Sequence, residues 1–122
     1  RAAAVRTLPG GTPVSYGCTA VLEGERTLAV LPIGYADGLP RLLSNRGSVW
    51  IQGRRCPLVG RVCMDMCMAD VTGLQVRPGD RAEIFGEHLP AEEAAGLSET
   101  ISYELLCAVA PRVPRLYRSV TP

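Results

Sequence analysis

The stretch Thr27-Leu28-Ala29-Val30-Leu31-Pro32-Ile33 decides how this chain folds, because it is long, mostly apolar and rich in β-branched residues. Such a run, bounded by turn signals, predicts a strand with little exposure to water. The polar loop Glu23-Gly24-Glu25-Arg26 precedes it, and the turn signal Ala36-Asp37-Gly38 follows it. We therefore predict a hairpin in which residues 14–22 and 27–33 are neighbouring strands.

Glycine and proline divide the rest of the chain into short segments. We predict further strands at residues 48–52, 55–63, 66–71, 81–85 and 112–117, with turns at 9–13, 53–54 and 77–80. Residues 90–96 begin with a proline and acids and end with a glycine, which predicts a short helix. A second helix is predicted from a Thr100 cap to about Cys107. This pattern predicts a mostly β fold: a small, partly open antiparallel, Greek-key-like barrel with one or two short helices.

Composition limits the domain count and the possible partners. The 122 residues predict a single domain, residues 1–122, with one modest core. A net charge of +1 gives no strong field for nucleic acid or an anionic membrane. No stretch approaches the roughly 20 apolar residues of a membrane-spanning helix. We therefore expect neither nucleic acid nor a membrane as a partner.

The five cysteines form no recognisable framework. They are Cys18, Cys56, Cys63, Cys67 and Cys107. An odd number without compact spacing, in a sequence with no secretory signal, predicts reduced thiols and a cytoplasmic location. The cysteine spacing and the single distant histidine, His88, do not match a zinc quartet, so no metal site is predicted.

Five stretches carry chemistry when they are taken together and in order. They are Val14-Ser15-Tyr16-Gly17, Gly34-Tyr35-Ala36-Asp37-Gly38, Gly60-Arg61-Val62-Cys63-Met64-Asp65, Ile101-Ser102-Tyr103-Glu104 and Arg112-Val113-Pro114-Arg115. The ordered set resembles the C-terminal β-domain of alanine racemase, an enzyme that depends on pyridoxal phosphate. The resemblance covers the chain from about Val5 to Tyr117.

The resemblance implies a catalytic role for Tyr16. Racemisation removes a proton from one face of the α-carbon and returns it to the other, so two acid/base groups are expected. In this family the cofactor lysine serves one face, and the tyrosine that matches Tyr16 serves the other. A phenol has an ordinary pKa of about 10, so this role requires a lowered pKa, and the nearby sequence supplies no cause. From the pattern alone, the favoured interpretation of Tyr16 is an ordinary structural tyrosine of a strand.

The resemblance places four residues at the substrate entryway: Tyr35, Arg41, Arg61 and Ile101. The alternative for Tyr35 is a loop aromatic that covers one end of the barrel. Asp37 fits a turn former better than a catalyst.

Two residues of the Cys63-Met64-Asp65-Met66-Cys67-Met68 stretch are candidates for binding substrate. On a strand, Asp65 would share a face with Cys63 and Cys67, and an unpaired buried carboxylate is costly. One interpretation is a core strand whose aspartate is satisfied by nearby backbone. The resemblance implies instead that the backbone at Met64 and Asp65 meets the substrate carboxylate.

Tyr103 lies near the start of the second predicted helix. The resemblance implies that its hydroxyl hydrogen-bonds the cofactor phosphate; the other interpretation, compatible with this one, is a tyrosine that packs across the helix. His88 is predicted to be a solvated loop residue. Arg112, Arg115 and Arg118 are predicted to flank the last strand as a solvated or subunit-facing edge.

All thirteen basic residues are arginine, and the chain has no lysine. Enzymes of this kind hold pyridoxal phosphate covalently through a lysine amine. The resemblance therefore implies that the lysine lies on an N-terminal barrel domain outside this chain. Residues 1–10 would form the linker or strand from that barrel, and the isolated chain would be inactive.

The resemblance implies an enzyme that interconverts L- and D-alanine for peptidoglycan synthesis. It works as a homodimer, in which this domain contributes its tyrosine to the partner subunit's site. One alternative is a racemase of the same fold that acts on serine, lysine or a broad set of amino acids. A second is a non-catalytic small β-barrel binding module, which the near-neutral charge and few aromatic residues disfavour.

Overall fold

The structure is a computed structural model that describes residues 1–14 and 20–119. Its described strands are β1 (Ala4–Leu8), β2 (Pro13–Val14), β3 (Ala20–Val21), β4 (Arg26–Leu31), β5 (Ser48–Ile51), β6 (Arg54–Pro57) and β7 (Cys67–Asp70). Its helices are α1 (Ala91–Leu97) and α2 (Ser102–Cys107), and two single-turn 3₁₀ helices cover Tyr35–Asp37 and Arg41–Leu43. The prediction of a mostly β fold with antiparallel pairing and two short helices is confirmed.

The described strands form three antiparallel sheets that do not close into a continuous barrel. The largest sheet has the order β1-β4-β7, and the other two are the pairs β2-β3 and β5-β6. The sheets are joined by packing and by isolated bridges, such as the one between Leu58 and Ala69. The barrel-like arrangement is therefore open.

Strand β4 is the centre of the molecule, as its apolar sequence predicts. It is hydrogen-bonded on both edges, with Val30 opposite Ala4 of β1 and Ala29 opposite Ala69 of β7. Side chains of a strand alternate between its faces, so Ala29 and Leu31 enter the main core while Leu28 enters a second cluster. Because both faces are covered there, the last four residues of β4, Leu28 to Leu31, are all apolar.

The predicted pairing of residues 14–22 with 27–33 is wrong. Strands β2 and β3 pair with each other, with Val14 opposite Ala20, and β4 takes β1 and β7 as its described partners. The predicted single strand is therefore two short strands that run in opposite directions. Hydrophobic alternation gives the faces of a strand but carries no information about which strand lies beside it.

The predicted hairpin after residue 48 is confirmed, with its turn one position earlier. Gln52 and Gly53 both have positive φ, 49° and 76°, and form the two-residue connection between β5 and β6. The second strand ends at Pro57, well before the predicted residue 63. Residues 60–66 run as irregular chain, and this irregular segment shapes the candidate site.

Two other predicted strands are absent from the described part of the chain. Residues 81–85 contribute a single bridge, from Glu83 to Trp50, and residues 112–117 form no strand. Pro114 has no N–H to donate to a sheet, and Val113 before it is only half-buried, while the residues after it are exposed. Both predicted helices are confirmed, but Thr100 does not cap α2. The Thr100 hydroxyl lies 2.6 Å from Glu104 Oε1, and Ile101 occupies the capping position.

Candidate functional site

Two turns distant in sequence lie against each other at the end of β4. The first contains Gly34 and Tyr35, and the second is the bend at residues 63–66. The Tyr35 N–H donates to the Cys63 carbonyl at 2.9 Å, and the Ala36 N–H donates to the Met64 carbonyl at 3.0 Å. These bonds hold Tyr35 beside Met64.

Gly34 makes this close approach possible. A Cβ at this position would lie 2.1 Å from the Cys63 carbonyl oxygen and 2.4 Å from that of Met64. Those atoms are backbone, so they cannot turn aside as a flexible side chain would. Glycine is therefore required here by contact, although its φ of −148° is open to any residue.

The two turns form one wall of a cleft of about 470 Å³. Its lining residues are Tyr35, Arg41, Arg61, Val62, Cys63 and Met64. Tyr35 is 47% exposed and Met64 54% exposed, so neither side chain belongs to the core. The structure thus brings together three of the predicted entryway residues, Tyr35, Arg41 and Arg61, and one predicted substrate-binding residue, Met64.

Ser44 and Asn45 fix the two arginine segments relative to each other. The Ser44 hydroxyl donates to the Arg41 carbonyl at 2.5 Å and accepts the Val62 N–H at 2.8 Å. Asn45 Oδ1 accepts the Gly60 N–H at 2.7 Å. These contacts join the second 3₁₀ helix to the segment that carries Arg61. Neither residue was predicted from the sequence, although Asn45 has a positive φ of 57°, which asparagine adopts more readily than most residues other than glycine.

Asp65 lies on the exposed bend, not on a strand face with Cys63 and Cys67. Its side chain is 65% exposed, and its Oδ1 lies 2.8 Å from Arg112 Nη2. The interpretation of a core strand with a backbone-satisfied aspartate is therefore wrong. The bend at residues 63–66 turns the carboxylate toward water and an arginine, which avoids the cost of burying it.

Arg112 also contacts the first turn. Its Nε donates to Asp37 Oδ1 at 2.8 Å, while Asp37 Oδ2 accepts the Gly34 N–H at 2.9 Å. The Gly34 N–H and, to a smaller extent, the Arg112 guanidinium hold the pKa of Asp37 below its usual range, against a raising effect of burial. Asp37 is thus a turn former, as predicted. Arg112 is exposed, but it flanks no strand, and its guanidinium is paired with two carboxylates.

Tyr103 and Ile101 project from the beginning of α2. Tyr103 is 76% exposed and Ile101 63% exposed, while Leu105 anchors the helix in the core. The alternative in which Tyr103 packs across the helix is therefore wrong. Neither residue lines the cleft beside Met64. Tyr35 connects the two regions, because it also lines a smaller cavity with Thr100, Glu104 and other residues around α2.

Tyr16 lies outside the described residues, so its catalytic role stays a prediction.

His88, predicted to be a solvated loop residue, has two contacts. Its ring stacks on Trp50 with centroids 4.7 Å apart, and its Nδ1 lies 3.1 Å from Glu83 Oε1.

Burial, with a smaller contribution from Cys63, raises the pKa of the Cys67 thiol to about 12. Cys67 is therefore protonated at neutral pH and is not a nucleophile.

Within residues 1–14 and 20–119, no group of three or more histidine, cysteine, aspartate or glutamate side chains is placed to hold a metal ion. No helix in that part of the chain has the length and apolar character needed to cross a bilayer.

Comparison with known proteins places these features in a family. The family model described as "Alanine racemase, C-terminal domain" matches residues 1–117. The chain is 50% identical to the alanine racemase of Desulforamulus reducens, over 93% of this chain and 31% of that protein. It is 48% identical to the alanine racemase of Symbiobacterium thermophilum, over 99% of this chain and 33% of that protein.

Solved structures agree with the sequence relatives. The alanine racemase of the D-cycloserine producer Streptomyces lavendulae superposes with a TM-score of 0.94 at 40% identity, over 98% of this chain and 32% of that one. The Bartonella henselae enzyme, solved with covalently bound pyridoxal phosphate, gives a TM-score of 0.90 at 38% identity, over 96% and 33%. The chain spans about a third of the length of these relatives. It belongs to the family of alanine racemase C-terminal domains.

Proposed function

We propose that this chain is the C-terminal domain of a cytoplasmic, pyridoxal phosphate-dependent alanine racemase that interconverts L- and D-alanine for peptidoglycan synthesis. The observation that carries the proposal is the cleft in which Tyr35, Arg41, Arg61 and Met64 meet in a chain of this family. Two guanidinium groups beside an exposed bend suit a small substrate that carries a carboxylate.

The bend itself supports a role in binding that carboxylate. Among the described residues, no acceptor receives a hydrogen bond from the backbone N–H of Met64 or of Asp65. Consecutive backbone N–H groups that point away from the fold can bind an anion. We infer that these two amides bind the substrate carboxylate, while Arg41 and Arg61 attract the anion and Tyr35 and Ile101 line its route.

Tyr16 is assigned the proton transfer on one face of the substrate. Its phenolic oxygen would accept the α-proton and return it in the reverse direction, which requires a pKa lowered toward neutrality. The charge that lowers the pKa would come from residues outside this chain. In the homodimer that we propose, Tyr16 serves the partner subunit's active site.

The residues of this chain fit a part of a pyridoxal phosphate site and not the whole of it. The exposed Tyr103 hydroxyl is available to hydrogen-bond the phosphate, but the chain has no lysine to hold the cofactor covalently. When bound, the cofactor supplies the electron sink that makes the α-proton acidic. We therefore assign the lysine to a barrel domain in the remaining two-thirds of a full-length enzyme.

The decisive experiment measures racemase activity of the full-length protein and of this chain alone. We expect the full-length protein to convert L-alanine to D-alanine and this chain alone to be inactive. A full-length protein that turns over serine or lysine in preference to alanine would contradict the substrate assignment. Activity of the lysine-free chain alone would contradict the division of the site.

The assignment of Tyr16 is tested by Tyr16→Phe in the full-length protein. We expect a loss of at least about 100-fold in kcat, the usual contribution of a general acid/base group, with the cofactor absorbance nearly unchanged. Tyr117→Phe is the matched control, because Tyr117 is 89% exposed near the end of the described chain. Full turnover in Tyr16→Phe would remove Tyr16 from the mechanism.

A further inference from the structure

Arg112 contacts two carboxylates that lie far from it and from each other in the sequence. Its Nε donates to Asp37 and its Nη2 donates to Asp65, each at 2.8 Å. Asp37 belongs to the turn of Tyr35, and Asp65 belongs to the bend of Met64. One planar side chain therefore spans both turns that form the wall of the cleft.

Asp37 connects Arg112 to the backbone of its turn by a hydrogen bond, and Asp65 does so through its position next to Met64. The second oxygen of Asp37 accepts the Gly34 N–H at 2.9 Å. Asp65 directly follows Met64, whose carbonyl accepts the Ala36 N–H. The segment that carries Arg112 is itself fixed to the first turn, because the Ala110 N–H donates to the Asp37 carbonyl at 3.0 Å.

We propose that Arg112 is a positioning residue that sets the distance between the Tyr35 turn and the Met64–Asp65 bend, and so the width of the site that receives the substrate carboxylate. The inference rests on the proposed function and assigns Arg112 no contact with substrate. Without the clamp, only the two backbone hydrogen bonds would hold the turns together, so we expect those bonds to open more often.

The geometry requires an arginine. The guanidinium carries donors on different atoms in a fixed plane, so it contacts both carboxylates at the same time. A lysine ammonium is a single point of charge on a flexible stem and does not reproduce this bridge. The Arg112 side chain is 53% exposed, and exposed ion pairs contribute little to global stability. We therefore expect its replacement to alter the site without unfolding the protein.

The test compares three variants of the full-length protein: Arg112→Ala, Arg112→Lys and the control Arg55→Ala. Arg55 is 47% exposed and forms an ion pair with Glu93, but it joins β6 to α1 and does not line the cleft. In Arg112→Ala we expect KM for alanine to rise about tenfold with kcat within about threefold, because a misplaced binding group weakens the fit of the substrate. Arg55→Ala should leave both constants unchanged.

The division between KM and kcat separates positioning from simple destabilisation. A variant that only unfolds more readily has fewer active molecules, so its apparent kcat falls while KM stays constant. An unchanged KM in Arg112→Ala would therefore overturn the inference. A wild-type KM in Arg112→Lys would overturn it as well, because charge alone would then suffice.

Amide hydrogen exchange provides a measurement that does not depend on activity. In Arg112→Ala we expect faster exchange at the amides of Tyr35 and Ala36, and unchanged exchange at Ala29 in β4. Unchanged exchange at Tyr35 and Ala36 would overturn the clamp. If the unmodified full-length protein fails to racemise alanine, the proposed function fails, and these exchange rates in the unmodified and variant chains still decide whether Arg112 holds the turns.

Discussion

Strand β4 and the two turns beyond its end are held by different kinds of interaction. Leu28, Ala29 and Leu31 of β4 are almost fully buried, and the strand is hydrogen-bonded on both edges. The turns rest on two backbone hydrogen bonds, one close glycine contact and one exposed arginine. The scaffold therefore depends on apolar burial, whereas the wall of the cleft depends on a few directional contacts.

Removal of a core side chain from β4 should produce the largest effect on stability. Leu31 is 1% exposed, so Leu31→Ala should lower the free energy of unfolding by about 3–4 kcal/mol through lost burial and a cavity. Urea denaturation measures this change. Leu116→Ala is the control, because Leu116 is 83% exposed, and it should change stability by less than about 0.5 kcal/mol. Equal losses in the two variants would contradict the assignment of the core.

Gly34→Ala should have the next largest effect. The added Cβ would overlap two carbonyl oxygens, so the turns must separate, at a cost of about 2–3 kcal/mol. The same denaturation experiment and the KM for alanine both report on this change. Gly96→Ala in α1 is the matched control, because its Cβ would meet nothing within 4 Å and alanine favours the helix. A Gly34→Ala variant as stable as the Gly96→Ala variant would show that the contact between the turns is loose.

Acid should weaken the turns before it weakens the sheet. The Gly34 N–H, and then Arg112, lower the pKa of Asp37 in the folded state. A carboxyl with a depressed folded pKa stabilises the fold above its ordinary pKa of about 4, and this contribution is lost as the pH falls through the lower folded value. Protection of the Gly34 amide, corrected for intrinsic exchange, should therefore decline below about pH 4 while that of Ala29 persists. A simultaneous loss at both amides would contradict the distinction between the two regions.

The smallest expected effect is a difference in thiol reactivity at neutral pH. Cys67 is 1% exposed, and its pKa is raised to about 12, so its reactive thiolate is scarce. Cys107 is exposed on α2. Mass spectrometry after brief treatment with iodoacetamide at pH 8 should find Cys107 alkylated and Cys67 unmodified. Rapid alkylation of Cys67 would indicate that β7 opens readily, which would weaken the contrast with the turns.

Short sequence patterns predicted the elements that depend on interactions between residues close together in the chain. The apolar run at residues 27–33 predicts β4, the proline and acids before residue 96 predict α1, and the Asp37-Gly38 pair predicts a turn. In each case the signal and the structure lie within a few residues of each other. The predicted partner of β4 was wrong, because burial on both faces is compatible with several neighbours.

The family resemblance predicted more residues of the site than the local patterns did. It selected Tyr35, Arg41, Arg61 and Met64, which meet in one cleft. It did not find the role of Arg112, which depends on contacts with residues 75 and 47 positions earlier in the chain. Separations of that size leave no periodic signal in a single sequence.

The stacking of Trp50 on His88 has a practical use. Trp50 is the single tryptophan of this chain, and its ring lies parallel to the imidazole within 3°. Its emission in this chain therefore reports on the loop between Glu83 and Leu89, where ring contact and hydrogen bonds fasten the chain to β5. A change in Trp50 fluorescence during unfolding will therefore report the release of that loop. Events at the cleft require a separate label.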